Sequence, residues 1–389
     1  MPNAGHGRTV LVANPGADQY GSDRMLLEAV SALVGSGWRP VVTMPGPGPL
    51  VDLVLERGGR VELCPTPVLR RTDLSPRGLV RLAGASARGL VAGNRLINRV
   101  RPVAIYVNTV TIPGWLVLAR LRRIPAMCHV HEAEDAAPAP QRIALGLPLF
   151  LARRIVANSQ YSRRVLLADL GRLARRTVVI LNGVEGPPQV LPARPELAAP
   201  VRLVYVGRLS VRKGVDLLVD ALARVNERGI AAELEIVGAV FPGYEWYEEQ
   251  LREQVASAGL TDLVRFAGFQ TDTWSRVAAA DIACVPSRIE PFGNTAVEAV
   301  LSARPVVVSS VPGLVEATSG FGSARTFAHD DALALADALE ETIGAWVQVR
   351  EQALEDAASA AVRYAPAAFR SQLAVAIGAM VDRGDGRTV

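Results

Sequence analysis

Two carboxylates eight residues apart, Glu290 and Glu298, stand in the stretch Arg288-Ile-Glu290-Pro-Phe292-Gly293-Asn294-Thr295-Ala-Val-Glu298. Pro291 and Gly293 predict a turn that leaves Glu290 in a loop, and Glu298 falls in the first turns of the apolar helix that follows. Such a turn presents the backbone N–H groups of Gly293, Asn294 and Thr295 at a helix N-terminus, where donors and dipole together suit a pyrophosphate. A carboxylate in the helix can grip ribose hydroxyls, and one in the loop can reach the hydroxyls of a sugar. Thr295-x-x-Glu298 also reads as a capping box, in which Glu298 only satisfies orphan amides. That alternative leaves Glu290, Pro291 and Gly293 unexplained.

A second constellation is Tyr205-Val-Gly207-Arg208-Leu-Ser-Val-Arg212-Lys213-Gly214. Glycine at the end of a strand permits close backbone approach, and two cations five residues apart can clamp a diphosphate. Arg208 offers a planar fork and Lys213 a compact point charge. A surface turn with solvated charges is the plain alternative. Against it, Lys213 is the only lysine among 42 basic residues. Where this chain needs a positive charge it otherwise uses arginine.

Two weaker signals lie in the first half. The loop Asn14-Pro-Gly-Ala-Asp-Gln-Tyr20-Gly21-Ser22-Asp23 follows a strand and precedes a helix, a place for cradling an anion. It is not G-x-G-x-x-G, and that fingerprint follows no strand, which removes support for a dinucleotide oxidoreductase. His129-Val-His131-Glu132 ends a buried strand. Alternation places both histidines on one face, with His129 in the core and His131 at the carboxyl end, where ligands bind.

The elements that would hold these residues alternate short β-branched runs with helical stretches, the pattern of a parallel α/β protein. Strands are expected near Thr9–Ala13, Pro40–Thr43, Arg60–Leu63, Val103–Val107, Ala126–Val130, Ile155–Ala157 and Val178–Leu181. The pattern restarts with Val201–Val206, Glu233–Val237, Val264–Phe266, Ile282–Val285 and Pro305–Ser309. The intervening helices include Ser22–Val34, Gly78–Val100, Tyr161–Leu170, Val215–Glu227, Glu245–Ala258, Asn294–Ser302 and Ala332–Ile343. Five prolines between Gly186 and Pro200 predict a linker. The expected organisation is therefore a Rossmann-like acceptor domain (1–185), a linker (186–200) and a Rossmann-like donor domain (201–365). A final helix (366–389) is expected to pack back on the first domain. Ligands of open α/β sheets bind at the carboxyl ends of the strands, so the two domains are expected to face each other across a central cleft.

Composition narrows the classes further. Half of the 389 residues are hydrophobic and 21% are charged, which is globular rather than disordered. No uninterrupted apolar stretch reaches membrane-spanning length, and residues 1–7 lack the features of a secretory signal, so a cytoplasmic location is expected. Cys64, Cys128 and Cys284 are too far apart for a metal or disulfide framework and read as structural thiols. Residues 1–185 carry 24 arginines against 12 carboxylates, whereas the whole chain has a net charge of only +4. The basic half suggests an anionic partner such as a membrane surface, or else a solvated helix face. Aromatic residues are not interleaved with the arginines, which argues against nucleic acid.

Together these residues resemble the retaining glycosyltransferases of family 4, with the GT-B fold. The resemblance includes Gly207-Arg208 with Lys213-Gly214, Asn182-Gly183-Val184, Ala157-Asn158-Ser159 and Pro286-Ser287. It continues through Glu290-Pro-Phe-Gly with Glu298 to Arg304-Pro305-Val306-Val307. It implies that Glu298 binds ribose, and that Arg208 and Lys213 bind the diphosphate. Glu290 and the backbone of Phe292, Gly293 and Asn294 would hold the transferred hexose. His131 would lie near the sugar's distal hydroxyl and Gly21 near the phosphates. Relatives often carry a Gly-Gly pair with a following Glu where this chain has Tyr20-Gly21-Ser22-Asp23. The implied activity is hexosyl transfer from a nucleoside diphosphate sugar to a hydroxyl acceptor, a glycan, glycolipid or small molecule. No cofactor or metal is expected, since there is no Asp-x-Asp motif. A hydrolase or epimerase of the same fold, or a non-catalytic nucleotide-sugar-binding module, are the alternatives.

Overall fold

The computed structural model describes residues 7–18, 21–69, 76–133, 135 and 137–385; side chains at 21, 22, 76–80 and 383–385 lie outside that description. Tyr20, in the expected first loop, is among the residues not described. The chain divides into two compact units. One comprises residues 1–183 and 366–389, the other 184–365.

In the first unit the strands are β1 (Thr9–Ala13), β2 (Arg39–Met44), β3 (Arg60–Leu63), β4 (Ala104–Val107), β5 (Ala126–Val130), β6 (Arg154–Ala157) and β7 (Thr177–Val179). They form one parallel sheet in the order β3-β2-β1-β4-β5-β6-β7. Around it run α1 (Gly21–Gly35), α2 (Leu50–Glu56), α3 (Pro76–Val100), α4 (Gly114–Leu121), α5 (Ala139–Gly146) and α6 (Gln160–Asp169).

The second unit repeats the plan with β8 (Val201–Val206), β9 (Ala232–Val237), β10 (Val264–Gly268), β11 (Ile282–Val285), β12 (Val306–Ser309) and β13 (Ala324–Phe327). Their order is β10-β9-β8-β11-β12-β13, again parallel. Its helices are α7 (Val215–Glu227), α8 (Glu245–Ser257), α9 (Trp274–Ala279), α10 (Asn294–Leu301), α11 (Pro312–Thr318), α12 (Ala332–Gly344) and α13 (Trp346–Arg363). The last helix, α14 (Pro366–Asp385), belongs to the first unit.

Both sheets are doubly wound and Rossmann-like. Burial on two faces explains why the central strands, such as VLVA after Thr9 and IACV at 282–285, are continuous apolar runs without alternation. In each sheet the strand order reverses beside the first strand, between β1 and β4 and between β8 and β11. Loops leaving those strands part to opposite faces and open a crevice for ligand.

Within each unit, local contacts anchor the segments that flank the linker and the last helix. α14 places Phe369, Leu373, Ile377, Met380 and Val381 in the core against Met25, Ala29 and Leu33 of α1. Arg370 adds an ion pair to Glu28 at 2.6 Å. At Gly183 a side chain would bring Cβ to 2.8 Å from Pro366 Cα, so the start of α14 needs a glycine there. The proline-rich stretch 186–200 is built into the second unit. Ala193 is buried in its core, and Arg194 makes a two-pronged pair with buried Asp281 at 2.7 and 2.6 Å.

Candidate functional site

Four loops at the carboxyl ends of β8, β9, β10 and β11 come together in the second unit. Gly207 N donates to Val237 O and Leu209 N to Ala239 O, which zips the loop after β8 to the loop after β9. Gly238 N donates in turn to Gly268 O. The approach is so close that a Cβ on Gly238 would stand 1.8 Å from Gly207 O. Beyond Gly207, Tyr205 Oη donates to Arg208 O at 2.8 Å, and the Arg208 guanidinium lies 4.1 Å from the Phe241 ring centroid. A cation over an aromatic face is attracted by the ring quadrupole and held in plane.

The chain then turns through Val211–Lys213 and enters α7 at Gly214, whose φ is 66°. A side chain there would put Cβ 2.1 Å from Pro286 O, so glycine serves both the left-handed turn and the contact. That contact brings the loop after β11 alongside. Arg288 N donates to Arg212 O, and the Arg288 side chain forks onto Asp216 at 2.8 and 2.6 Å. Asp330 takes the third Arg288 contact at 2.6 Å, and Tyr247 Oη donates to Asp216 at 2.9 Å. Burial pushes the Asp216 carboxyl up, but its bonds to Arg288 and Tyr247 outweigh this and hold it below the usual range. Arg288 thus pins to α7 the loop that carries Glu290.

Within this frame the Lys213 ammonium and the Glu290 carboxylate form a short ion pair, both side chains largely covered. Ser287 Oγ lies 3.4 Å from the same carboxylate oxygen. Glu290 O abuts Gly313, where a Cβ would come within 2.0 Å of it. The sequence therefore signalled both members of a pair separated by 77 residues, and the topology brings them into contact.

Helix α10 begins at Asn294 with Gly293 as its N-cap, φ 107°. Thr295 is already inside the helix, so Thr295 and Glu298 do not form the capping box that their spacing permits. The leading amides of α10, those of Asn294 and Thr295 among them, lie at the positive end of the helix dipole, where an anion is favoured. Phe292 is buried against Tyr364 at a centroid distance of 5.7 Å, which leaves only its backbone for a ligand. Glu298 is 6% exposed, and its carboxylate lies on the second turn of α10.

The first unit assembles a different set at its own switch point. His131, after β5, approaches Asn108, after β4, with Nε2 3.1 Å from Oδ1. Asn108 Nδ2 donates to Asn14 Oδ1 at 2.8 Å, and Asn14 Nδ2 donates to Asp23 at 3.0 Å. His129 lies wholly in the core with Nδ1 2.6 Å from Tyr106 Oη, its ring centroid 3.9 Å from that of His131 and tilted to it by 39°. Burial holds the His131 imidazole down at about 4, so it is neutral at pH 7. Gly21 opens α1 in the same region. Asn108, Gly238, Phe241 and the Arg288–Asp216 pair escaped sequence reasoning, and Asn14 was read only as the start of the first loop. A polar residue directly after each of β1 and β4 was the available signal for the asparagines.

Two family models cover most of the chain. "Glycosyltransferase Family 4" matches residues 20–185, and "Glycosyl transferases group 1" matches residues 200–344. The chain belongs to the group 1 glycosyltransferases of the GT-B fold. A D-inositol 3-phosphate glycosyltransferase from Kineococcus radiotolerans is 29% identical over 284 residues, 67% of this chain and 64% of that one. Mannosylfructose-phosphate synthase from Agrobacterium fabrum is 39% identical over 135 residues, 32% of this chain and 29% of that one. The chain thus spans less than two thirds of the length of these curated relatives. Among solved structures, Anabaena HepE in complex with UDP-glucose superposes with a TM-score of 0.81 at 21% identity, covering 95% of this chain and 99% of HepE. That likeness is one of fold.

Proposed function

We propose that this protein transfers a hexosyl group, with retention at the anomeric carbon, from a nucleoside diphosphate sugar to a hydroxyl acceptor. The observation that carries the reading is the Lys213–Glu290 pair, its glutamate in the loop that leads into the N-terminus of α10, with Glu298 one turn further in. In this reading Glu298 binds the ribose, and Arg208, Lys213 and the amides of Asn294 and Thr295 receive the diphosphate. Glu290 and the backbone of Phe292 and Gly293 hold the hexose, His131 meets one of its hydroxyls, and Gly21 stands near the phosphates. The charge that develops on the leaving diphosphate is met by groups already in place, which is how preorganised sites lower a barrier. Reaction on one face, with the departing phosphate assisting deprotonation of the acceptor, calls for no dedicated protein base. Lys213 and Arg208 occupy the electrostatic role that a metal would otherwise fill, so metal independence is part of the proposal.

HepE was solved with UDP and with UDP-glucose, which makes uridine the first base to try. One of UDP, GDP, dTDP and ADP, or its hexose conjugate, is expected to raise the melting temperature, equally in EDTA and in magnesium. With that donor and a glycan, glycolipid or small hydroxyl acceptor, the product's anomeric proton coupling reads retention. Stabilisation by none of them at millimolar concentration would sink the donor-site reading. Free sugar as the sole product would favour a hydrolase.

A lipid-borne acceptor at an anionic membrane surface is part of the same proposal. No helix among the described residues is long and apolar enough to cross a membrane. Support for a peripheral contact comes from exposed arginines on the first unit, among them Arg88, Arg95, Arg99, Arg120, Arg122, Arg123, Arg172 and Arg175. Basic groups contribute about 1 kcal/mol each against an anionic leaflet. The protein should therefore sediment with phosphatidylglycerol vesicles at low salt and be released by added salt. Equal sedimentation with neutral vesicles would refute an electrostatic contact.

A further inference from the structure

The polar cluster at the switch point of the first sheet has a direction, and the direction is fixed at one end. Asn14 Nδ2 lies 3.0 Å from both Gly16 O and Asp23 Oδ1. A peptide carbonyl can only accept, so the amide nitrogen of Asn14 must face Gly16 and its oxygen must face Asn108. That oxygen takes its hydrogen from Asn108 Nδ2, which turns Asn108 Oδ1 toward His131 Nε2 at 3.1 Å. An acceptor in that position requires His131 Nε2 to carry the ring proton.

The same oxygen orients the second histidine. Tyr106 Oη is 3.4 Å from Asn108 Oδ1 and 2.6 Å from His129 Nδ1. If Tyr106 donated to His129, the His129 proton would sit on Nε2, which is buried with no partner among the described residues. A buried, orphaned N–H is rarer and costlier than an orphaned lone pair. Tyr106 therefore donates to Asn108 and accepts from His129 Nδ1–H. Two neighbouring histidines at the end of β5 thus hold opposite tautomers. Burial lowers both imidazoles, and the carboxylates facing the pair do not reverse this. Glu132 Oε2 accepts from the His131 backbone N–H, and Asp23 is two amides away.

We infer that Asp23, Asn14 and Asn108 are positioning residues that lock His131 as the neutral Nε2–H tautomer, leaving Nδ1 to meet its ligand as a hydrogen-bond acceptor. Such a nitrogen accepts from a sugar hydroxyl, whereas a carboxylate or phosphate oxygen would oppose it lone pair to lone pair. The site therefore selects a neutral hexose over its uronic acid counterpart. This consequence rests on the proposed placement of His131 beside the sugar; the tautomers do not.

The test is long-range 1H–15N NMR of the full chain labelled with 15N-histidine at pH 7. The four histidines are assigned through the variants His6→Gln, His329→Gln and His131→Asn. Protonated Nε2 with bare Nδ1 is expected for His131, and the reverse for His129. In Asn108→Leu, Tyr106 loses its acceptor and turns to His129, whose proton should move to Nε2. A purely structural asparagine would leave that tautomer alone. The wild-type spectrum decides even if this variant does not fold: a proton on His131 Nδ1, or identical tautomers, would overturn the inference. Saturating UDP-glucose should then shift only the Nδ1 resonance of His131 strongly. UDP-glucose that raises the melting temperature without moving Nδ1 would overturn the placement beside the sugar and the hexose selection, but not the tautomers.

Discussion

Lys213→Ala is expected to weaken nucleotide-sugar binding more than Lys213→Ala combined with Glu290→Ala. In the folded chain the two side chains already neutralise each other, 23% and 14% exposed. Removing the ammonium alone strands a partly covered carboxylate beside the amides that await the diphosphate. Its repulsion then adds to the lost attraction. Removing both leaves the α10 amides and Arg208 without an opposing charge, so part of the affinity returns. Turnover should not return, because Glu290 is the proposed grip on the hexose. Each single variant is expected to lower kcat/KM by about 10²–10³, the usual effect of deleting one preorganised donor at a developing charge. Calorimetric titration of the four proteins with the stabilising nucleotide sugar measures the coupling. A double variant that binds no better than Lys213→Ala would show that Lys213 and the donor do not compete through Glu290. Lys213→Arg should also impair transfer, since a planar, bulkier guanidinium cannot take the place of a compact ammonium against the Glu290 carboxylate.

What could be read in the sequence follows from how local each signal is. β1, β5 and β11 coincide with their expected ranges because buried parallel strands are uninterrupted apolar runs bounded by turns, and β3 and β8 coincide although Arg60, Glu62 and Arg202 interrupt them. β13 went unrecognised because Ala-Arg-Thr-Phe is a polar edge strand with one neighbour, and edge strands do not carry the apolar signature. α13 was missed for a related reason. Half of its buried residues are alanine (Ala353, Ala357 and Ala360), and small residues hardly raise the apolar period.

The candidate site divides in the same way. Glu290, Glu298, Lys213 and Arg208 declared themselves through motifs within short windows. Their supports did not. Arg288 reaches Asp216 across 72 residues and Asn108 reaches Asn14 across 94. Such partners become visible only when topology is known, because spacing along the chain carries no information about them. The capping box shows the opposite failure. Its spacing is present, but Gly293 takes the N-cap with a positive φ, so the pattern at 295–298 starts two residues too late to act.

Arg304→Met is expected to cost the second unit about 3–5 kcal/mol, since several buried carbonyls lose their donor at about 1–3 kcal/mol each. Arg304 is 1% exposed, and no carboxylate pairs with it directly. Its guanidinium instead donates to five main-chain carbonyls: Leu191, Val277, Ala278, Ser302 and Ala303. Four of these follow or close α9 and α10, where the last carbonyls lack intrahelical partners and the dipole is negative. One side chain therefore caps two helices and fastens the segment at Leu191 to both. Burial lowers its pKa and the field of Asp281 partly restores it, so the charge is retained at a cost that the carbonyls offset. Methionine matches the volume but leaves five acceptors unsatisfied. Lysine keeps the charge, yet three donors on a single atom cannot span carbonyls presented to a planar fork. Both variants should unfold at markedly lower denaturant, with Lys intermediate. Because Arg304 stands at the opposite end of α10 from Gly293, folded Arg304→Lys should retain wild-type affinity for the nucleotide sugar. A loss of stability below about 1 kcal/mol would mean that those carbonyls find other donors. A loss of affinity without a loss of stability would mean that the two ends of α10 are coupled.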